Sequence, residues 1–212
     1  MKNLIIIGAR GWGREVYSAA TKMEGYKHDF CIKGFLDSKL DAFDGLKGNY
    51  PPIIGAPEDY EIQPEDVFFV ALGEPKWRKH YAEIIEAKGG KFMSIISHNA
   101  FVNDTATIGE GSFIARWSCV SDNVVIGRHA IVHVFSDIGH DACIGDYSTI
   151  EAYSFMGGYS RVGKESVMHV RSTLIRKKSI GDSVDVGASS VVIRNVPNNT
   201  HVFGNPAKKI IF

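Results

Sequence analysis

His140 and Asp141 stand side by side, and this pair has the clearest chemical potential in the sequence. A solvent-exposed imidazole can be neutral near pH 7 and take up a proton. An adjacent carboxylate can hold the imidazole in one tautomer and stabilise the imidazolium that forms. The pair is therefore a candidate for general-base chemistry. The alternative is a histidine without a catalytic role on a solvent-facing turn.

Three further polar residues recur at a fixed spacing, since His133, Glu151 and His169 are each 18 residues apart. Two imidazoles that flank a carboxylate can form a hydrogen-bonded ladder, shape an acceptor pocket or bind a metal ion. We expect a structural ladder or an acceptor pocket at these positions, and no metal.

A glycine-rich segment near the N-terminus, Gly8-Ala9-Arg10-Gly11-Trp12-Gly13, follows a short apolar run. A glycine turn between a strand and a helix can cradle a phosphate group at the helix N-terminus. The spacing is GxxGxG rather than GxGxxG, so the segment gives only a weak indication of dinucleotide binding.

The first half of the chain, residues 1–97, alternates segments typical of strands and helices. Strands are expected at Leu4–Ile7, Phe30–Leu36, Val67–Leu72 and Phe92–Ile96, helices at Gly13–Met23 and Lys76–Lys88, and mostly loop at Asp37–Tyr60. Such alternation predicts an α/β unit with a parallel sheet and flanking helices.

The second half repeats every six residues, with fifteen consecutive hexapeptides over residues 102–191. The first position is always Val, Ile, Leu or Met, and the fifth is Ala, Ser or Val except at Lys178. Glycine fills the second position of every third hexapeptide, at Gly109, Gly127, Gly145, Gly163 and Gly181. Three hexapeptides thus form one coil of a parallel β-helix. We expect each of these glycines to turn a corner at positive φ.

This period also predicts which residues lie above one another, because stacked strands are roughly 4.8 Å apart. Gly158 follows His140 by 18 residues and should lie directly beneath it, where its N–H could donate to an oxyanion. Basic residues gather in the later coils, at Arg161, Lys164, Arg171, Arg176, Lys177 and Lys178. They suit the phosphates of a cofactor, and a solvated charged face is the alternative.

Composition excludes several classes of protein. The formal net charge is +0, which gives no overall attraction to nucleic acid or to an anionic membrane. The first residues carry too short an apolar run for a signal peptide, and no segment is long enough to span a membrane. The three cysteines are widely spaced and predict neither disulfides nor a zinc site. We therefore expect a cytoplasmic protein.

The hexapeptide pattern resembles that of the bacterial hexapeptide acyltransferases. The whole chain resembles their UDP-amino-sugar N-acetyltransferase and sialic-acid O-acetyltransferase-like branch, in the segments IIIGARGWGREV, FLDS, ALGEPKWR, IGHDACIGDYS and VFGNPAKKI. The resemblance implies a Rossmann-like nucleotide-sugar-binding domain over residues 1–97 and a left-handed parallel β-helix over residues 98–212. It also implies an acetyl-CoA-dependent enzyme that forms a homotrimer, with its active sites between subunits.

The resemblance further implies roles for individual residues. His140 matches the general base and Asp141 its acidic partner. The residues matched to acetyl-CoA binding are Gly158, Val170, Gly187, Ala188 and Lys208. The residues matched to binding of the UDP-sugar are Gly11, Trp12, Asp37, Gly73 and His133.

Several positions depart from the family pattern and keep other functions open. Trp12, Glu74 and Thr149 stand where His or Ser, Asn, and a second His are common. A sialic-acid-type O-acetyltransferase is one alternative, and a sugar-nucleotide-binding protein without catalysis is another. A γ-carbonic-anhydrase-like metalloenzyme fits poorly, because His129, His133 and His140 lack the expected spacing. The appended N-terminal half disfavours an acetyltransferase of the serine or maltose type.

Overall fold

The computed structural model describes residues 1–210, in two units. Contacts within the chain group Met1–Ile95 into one unit, and the second unit begins at Ile96. This division lies two residues before the boundary that the sequence suggests.

The N-terminal unit is a four-stranded parallel sheet with two helices. In chain order its elements are β1 (Lys2–Ile7), α1 (Gly11–Ala20), β2 (Phe30–Leu36), β3 (Asp66–Val70), α2 (Pro75–Ala87) and β4 (Lys91–Phe92). The strand order is β2-β1-β3-β4, and every pairing is parallel. The predicted strands and helices are therefore present, although α1 begins two residues earlier than expected and ends at Ala20 rather than Met23.

The centre of this sheet is apolar on both faces, as is usual for a parallel sheet between helices. Leu4, Ile5, Ile6 and Ile7 of β1 are at most 1% exposed. The loop from β1 into α1 passes very close to the first turn of the helix, because a Cβ placed on Gly13 would lie 1.8 Å from the Gly8 carbonyl oxygen. Glycine at position 13 is thus a condition of this tight strand-to-helix turn.

The predicted strand Phe92–Ile96 is divided in the structure. The chain leaves β4 after Phe92, and β5 (Ile95–Ile96) lies at the boundary between the two units. Within the expected loop Asp37–Tyr60 no helix or named strand is present, and a single bridge joins Ile53 to Phe35 of β2.

The second unit is a left-handed parallel β-helix built from two-residue strands. They are β6 (Phe101–Val102), β7 (Thr107–Ile108), β8 (Phe113–Ile114), β9 (Cys119–Val120), β10 (Val125–Ile126), β11 (Ile131–Val132), β12 (Asp137–Ile138), β13 (Cys143–Ile144), β14 (Thr149–Ile150), β15 (Phe155–Met156), β16 (Arg161–Val162), β17 (Val167–Met168), β18 (Thr173–Leu174), β19 (Ser179–Ile180), β20 (Asp185–Val186) and β21 (Val191–Val192). Each strand pairs with those 18 residues before and after it, so three parallel sheets form the faces of a prism. An antiparallel pair closes the unit, β22 (His201–Phe203) and β23 (Lys208–Ile210).

The aliphatic first position of each hexapeptide faces inward, as the sequence predicts. Ile138, Ile150, Met156 and Met168 are fully buried, within one continuous apolar core. The small fifth position lies beside this core, and its serine hydroxyls donate to backbone carbonyls of the next coil. Ser166 Oγ, for example, lies 2.8 Å from the Gly181 oxygen. These hydroxyls are thereby satisfied without a larger side chain, whereas the buried Ser160 Oγ has no hydrogen-bond partner among the described residues.

The expected reason for the recurring glycines is wrong. Positive φ falls on the fourth position of the hexapeptides, for example at Asp141 and Tyr159, and not on the glycine of the second position. That glycine is required by close packing instead. A Cβ on Gly145 would lie 2.5 Å from the backbone carbon of Gly163 in the next coil. The glycine column therefore marks where successive coils approach most closely.

Candidate active site

His140 and Asp141 lie on the turn between β12 and β13. Asp141 has a φ of 59°, the left-handed conformation shared by the fourth positions of the hexapeptides. This turn directs its carboxylate back to the preceding imidazole, and Asp141 Oδ2 lies 2.8 Å from His140 Nδ1. The His140 side chain is 57% exposed, so the ring is fixed at one nitrogen and accessible to substrate at the other.

The environment of Asp141 keeps it ionised. The hydrogen bond with His140 holds the pKa of the Asp141 carboxyl below its usual value, and hydrogen bonds from Asn123 and Tyr159 act in the same direction. An ionised Asp141 accepts the Nδ1 proton of a neutral His140. The Nε2 atom is then left with its lone pair, which is the form that a general base needs.

Asn123 and Tyr159 were not among the predicted site residues. Asn123 Nδ2 lies 3.4 Å from Asp141 Oδ1, and the edge of the Tyr159 ring packs against the His140 ring at a centroid distance of 5.1 Å. Each residue is 18 positions from Asp141, so the repeat contained the signal that places them there. Together they position the His140–Asp141 pair from the coils on either side.

Gly158 lies directly beneath the imidazole, where the sequence places it. A Cβ on Gly158 would be 2.6 Å from His140 Nε2, so only glycine leaves room for the ring. The Gly158 carbonyl accepts a hydrogen bond from the Lys177 amide at 3.0 Å. Within residues 1–210, no acceptor is found for the Gly158 N–H itself. A backbone donor therefore lies beside the nitrogen of the candidate base.

The neighbouring Gly157 serves a different purpose. A Cβ there would lie 2.4 Å from the Arg176 backbone nitrogen in the next coil, which makes Gly157 part of the packing between coils. The two adjacent glycines thus have different roles, since Gly158 leaves room for the His140 side chain and Gly157 leaves room for the backbone of the next coil.

The residues matched to acetyl-CoA binding differ in what they offer. Val170 donates its N–H to Glu151 Oε2 at 2.9 Å and accepts from the Ser189 amide at 2.9 Å, so its backbone is already occupied. Only its side chain, 38% exposed, remains for contact with a cofactor. The expected contact at Val170 would have to be apolar.

The other matched positions lie further along the unit. Gly187 packs under the ring of Phe203, since a Cβ would lie 2.4 Å from a ring carbon. The Ala188 N–H has no acceptor in the part of the chain that the structure describes, which leaves it available to a ligand. Lys208 lies on β23 and is exposed.

Four of the basic residues proposed for cofactor phosphates contact other parts of the β-helix, and one of them, Arg161, has its Nη1 3.4 Å from Cys143 Sγ. Lys164 Nζ lies 2.9 Å from Asp146 Oδ2. Arg171 lies over the Tyr153 ring and Lys177 over the Tyr159 ring, at 5.6 and 5.9 Å from the centroids. These contacts hold the cations against the surface of the β-helix.

Of the spaced residues His133, Glu151 and His169, the last two form an ion pair, and an unforeseen residue joins them. Glu151 Oε2 lies 3.2 Å from His169 Nδ1, and Asp185 Oδ2 lies 3.2 Å from His169 Nε2. Asp185 could not be found from the 18-residue spacing, because it follows His169 by 16 positions. Among residues 1–210, no group of three His, Cys, Asp or Glu side chains is arranged to hold a metal ion.

The His169 cluster predicts a pH dependence of stability. Its hydrogen bond with Glu151, reinforced by Asp185, raises the pKa of His169 from 6.5 to about 9. The folded state therefore holds this proton more tightly than the unfolded chain, so the stabilisation is complete below pH 6.5 and is lost as the pH rises through about 9. We expect the thermal midpoint to fall across this interval, and His169→Gln to remove most of that fall.

Thermal unfolding followed by circular dichroism at a series of pH values measures this effect. His98→Gln, at an exposed histidine of the same unit, serves as the matched control and should keep the wild-type profile. An equal fall of the midpoint in His169→Gln and in the wild type would contradict the assignment.

The N-terminal unit contains a cavity of about 460 Å³ at the carboxyl ends of β1, β2 and β3. Three of the residues expected to bind the sugar nucleotide line it, namely Trp12, Asp37 and Gly73. Gly11 does not line it and is instead the first residue of α1. His133 belongs to the second unit.

Asp37 acts on the protein's own backbone. Its Oδ2 accepts the Ala9 N–H at 2.8 Å, and its Oδ1 accepts the Lys39 N–H at 2.9 Å. The carboxylate thus fastens the glycine loop to the end of β2. Asp37, which we expect to bind the sugar nucleotide, therefore also fixes the conformation of the glycine loop.

Arg78, which sequence analysis did not single out, fixes another wall of the cavity. Its guanidinium is fully buried and donates to the carbonyl oxygens of Leu72 and Gly73, both at 2.8 Å. A buried arginine that bonds two successive carbonyl oxygens holds a turn in one conformation. The signal was the ALGEPKWR segment, in which it follows Gly73 by five positions.

Comparisons with known proteins agree with this architecture. The PglD N-terminal domain family matches residues 3–85. The UDP-N-acetylbacillosamine N-acetyltransferase of Bacillus subtilis is 30% identical over 115 residues, which is 54% of this chain and 51% of that protein. The chain thus matches about half the length of this curated relative.

Solved structures match the chain over nearly its whole length. The acetyltransferase domain of PglB from Neisseria gonorrhoeae, in complex with acetyl coenzyme A, is 26% identical, with 99% of each chain covered and a TM-score of 0.88. PerB from Caulobacter crescentus, in complex with CoA and GDP-perosamine, has the same fold at 22% identity, with 100% and 98% covered and a TM-score of 0.88. With residues 3–85 matching the PglD N-terminal domain family ahead of a hexapeptide β-helix, the chain is similar to bacterial hexapeptide-repeat sugar acetyltransferases over nearly its whole length.

Proposed function

We propose that this protein transfers an acetyl group from acetyl-CoA to the amino group of a nucleotide-linked sugar. The observation that carries the proposal is the arrangement around His140. Its Nδ1 lies 2.8 Å from the Asp141 carboxylate, and its Nε2 lies beside the backbone of Gly158, whose N–H has no acceptor among residues 1–210. A base and an oxyanion donor are thus adjacent, which is what acyl transfer to an amine requires.

The proposed reaction uses these groups in sequence. The amine nitrogen attacks the thioester carbonyl while His140 Nε2 takes up a proton from the amine, and Asp141 stabilises the imidazolium. The carbonyl oxygen becomes an oxyanion that accepts a hydrogen bond from the Gly158 N–H. When the C–S bond breaks, the proton on His140 passes to the sulfur, and the products are an amide and CoA as its free thiol.

Support for a nucleotide-linked amino sugar comes from the N-terminal unit and from the relatives. The cavity lies at the ends of parallel strands and beside the start of α1, where ligands of α/β sheets commonly bind. One relative is named for a UDP-linked amino sugar, and another was solved with GDP-perosamine. The resemblance in sequence implies UDP, but these relatives differ in the base.

The same proposal extends to assembly and location. We place acetyl-CoA near the side chain of Val170 and the N–H of Ala188, in a homotrimer with active sites between subunits. The exposed aromatic side chains of Trp117, Phe135 and Tyr153 provide apolar surface on the β-helix that a partner subunit could cover. Cys31, Cys119 and Cys143 are free thiols, which suits a reducing cytoplasm.

Thiol release from acetyl-CoA tests the proposed function. The assay is run with a panel of UDP-, GDP- and dTDP-linked amino sugars, the corresponding free amino sugars and sialic acid. We expect release only with a nucleotide-linked amino sugar, because the N-terminal cavity supplies the nucleotide site. If only sialic acid gives thiol release, O-acetylation is favoured instead. If none of the acceptors in the panel gives thiol release, the proposal is rejected.

A further inference from the structure

A carboxylate and an aromatic ring stand together where α2 begins. Glu74 is the residue that precedes the helix, and Trp77 is its third residue, so the two are three positions apart. Residues at this separation lie on one face of a helix. Both line the cavity of the N-terminal unit, and the Trp77 side chain is 47% exposed there. The two acceptor oxygens of Glu74 thus lie beside the Trp77 ring, on which a planar ring of a ligand can stack.

The Glu74 carboxylate is available to a ligand. It makes no side-chain hydrogen bond to the amides of α2, and the described residues contain no hydrogen bond or ion pair to it. Its backbone is fixed, because the buried Arg78 holds the carbonyls of the two preceding residues, Leu72 and Gly73. The side chain therefore extends from a rigid turn with both oxygens open.

Charge decides which part of a nucleotide can lie against Glu74. Two anions at close range repel each other, so the diphosphate cannot be placed beside this carboxylate. The start of α1 suits it better, since Arg10 lines the cavity there and helix N-termini favour anions. Asp37, the other acid of the cavity, has each oxygen engaged by a backbone amide. Glu74 is thus left to face the nucleoside, and the Trp77 ring beside it suits the planar base rather than the ribose.

The bases differ in what they offer to a carboxylate. Guanine presents two adjacent donors on its Watson–Crick edge, N1–H and the exocyclic amine, which match the two oxygens of a carboxylate. Uracil and thymine present one N–H between two carbonyl oxygens, and the Glu74 carboxylate would repel both of these carbonyl oxygens. Resting on the proposed function, we infer that Glu74 and Trp77 select a guanine nucleotide, so that the acceptor is a GDP-linked amino sugar.

Binding of free nucleoside diphosphates tests this inference without any acetyl transfer. Isothermal titration of the full chain is carried out with GDP, inosine diphosphate, UDP and dTDP. We expect GDP to bind about tenfold or more tightly than UDP and dTDP, because a site built for hydrogen bonds rejects a ligand that cannot make them. Inosine diphosphate, which lacks the exocyclic amine, should bind more weakly than GDP.

Glu74→Gln is the decisive variant. It should weaken GDP binding by about tenfold or more while UDP binding is unchanged or improved, since one acceptor and the negative charge are lost. Glu83→Gln changes an exposed glutamate of the same helix that does not line the cavity, and it should bind all four nucleotides as the wild type does. Circular dichroism confirms that both variants are folded.

The outcomes separate this inference from the proposed function. UDP or dTDP binding as tightly as GDP, or an unchanged GDP preference in Glu74→Gln, would overturn the role of Glu74 and leave acetyl transfer intact. Selective binding of GDP without acetylation of any GDP-linked amino sugar would reject the proposed function and keep the base preference. Failure of all four nucleotides to bind would reject both.

Discussion

Replacing His140 with asparagine is expected to lower kcat for acetyl transfer by about 10²–10⁴-fold, the usual contribution of a general base. Asparagine keeps a polar side chain of similar size and removes only the capacity to take up a proton. Because the His140 side chain is 57% exposed, its replacement should leave the thermal midpoint close to that of the wild type. Steady-state kinetics with a saturating acceptor measures kcat directly.

His98→Asn is the matched control for this experiment. His98 is an exposed histidine of the same unit and lies outside the candidate site, so its replacement should leave kcat unchanged. Titration with CoA should show that His140→Asn still binds the cofactor with an affinity near that of the wild type. A kcat within a few-fold of the wild-type value in His140→Asn would show that this residue is not the base.

Gly158→Ala is expected to lower kcat by about 10²–10³-fold, because the added methyl group displaces the His140 imidazole and so impairs general-base catalysis, while alanine keeps the backbone N–H. The added Cβ would lie 2.6 Å from His140 Nε2, so the imidazole must move away from its place beside Gly158. The clash involves the end of an exposed side chain that can turn away. The thermal midpoint should therefore change little, although kcat falls.

Gly145→Ala provides the contrast. Its Cβ would lie 2.5 Å from the backbone carbon of Gly163, and a backbone in the middle of a stacked coil cannot move aside. This variant should lose about 1–3 kcal/mol of unfolding free energy through overpacking. Activity measured below its unfolding temperature should be far less affected than that of Gly158→Ala. Full kcat in Gly158→Ala would contradict a reaction that needs the His140 imidazole in its place beside this glycine.

Much of the fold follows from periodicity in the sequence. A repeat of six fixes which residues face the core, and a repeat of 18 fixes which residues stack, so Gly158 could be placed under His140 before any coordinates. The conformational reason for the glycine column could not be obtained in this way. Both a positive φ and a close approach of backbones demand glycine, and only the structure shows that φ is positive at the fourth position instead.

The contacts of the site were less predictable where they depend on the backbone. Nothing in the residue type of Asp37 shows that its oxygens accept from Ala9 and Lys39, and nothing in Val170 shows that its amide is occupied by Glu151. Asp185 completes the His169 cluster from outside the 18-residue column. Such partners depend on where a side chain reaches, and residue spacing carries no information on that reach.

Acetylation of the acceptor itself tests the central claim most directly. Wild-type protein is incubated with acetyl-CoA and nucleotide-linked amino sugars, and the products are analysed by mass spectrometry before and after treatment with hydroxylamine, which cleaves esters and spares amides. We predict a singly acetylated nucleotide sugar that survives this treatment, formed about 10²–10⁴-fold more slowly with His140→Asn. An acetyl group that hydroxylamine removes, or no acetylated nucleotide sugar at all, would contradict N-acetyl transfer by this protein.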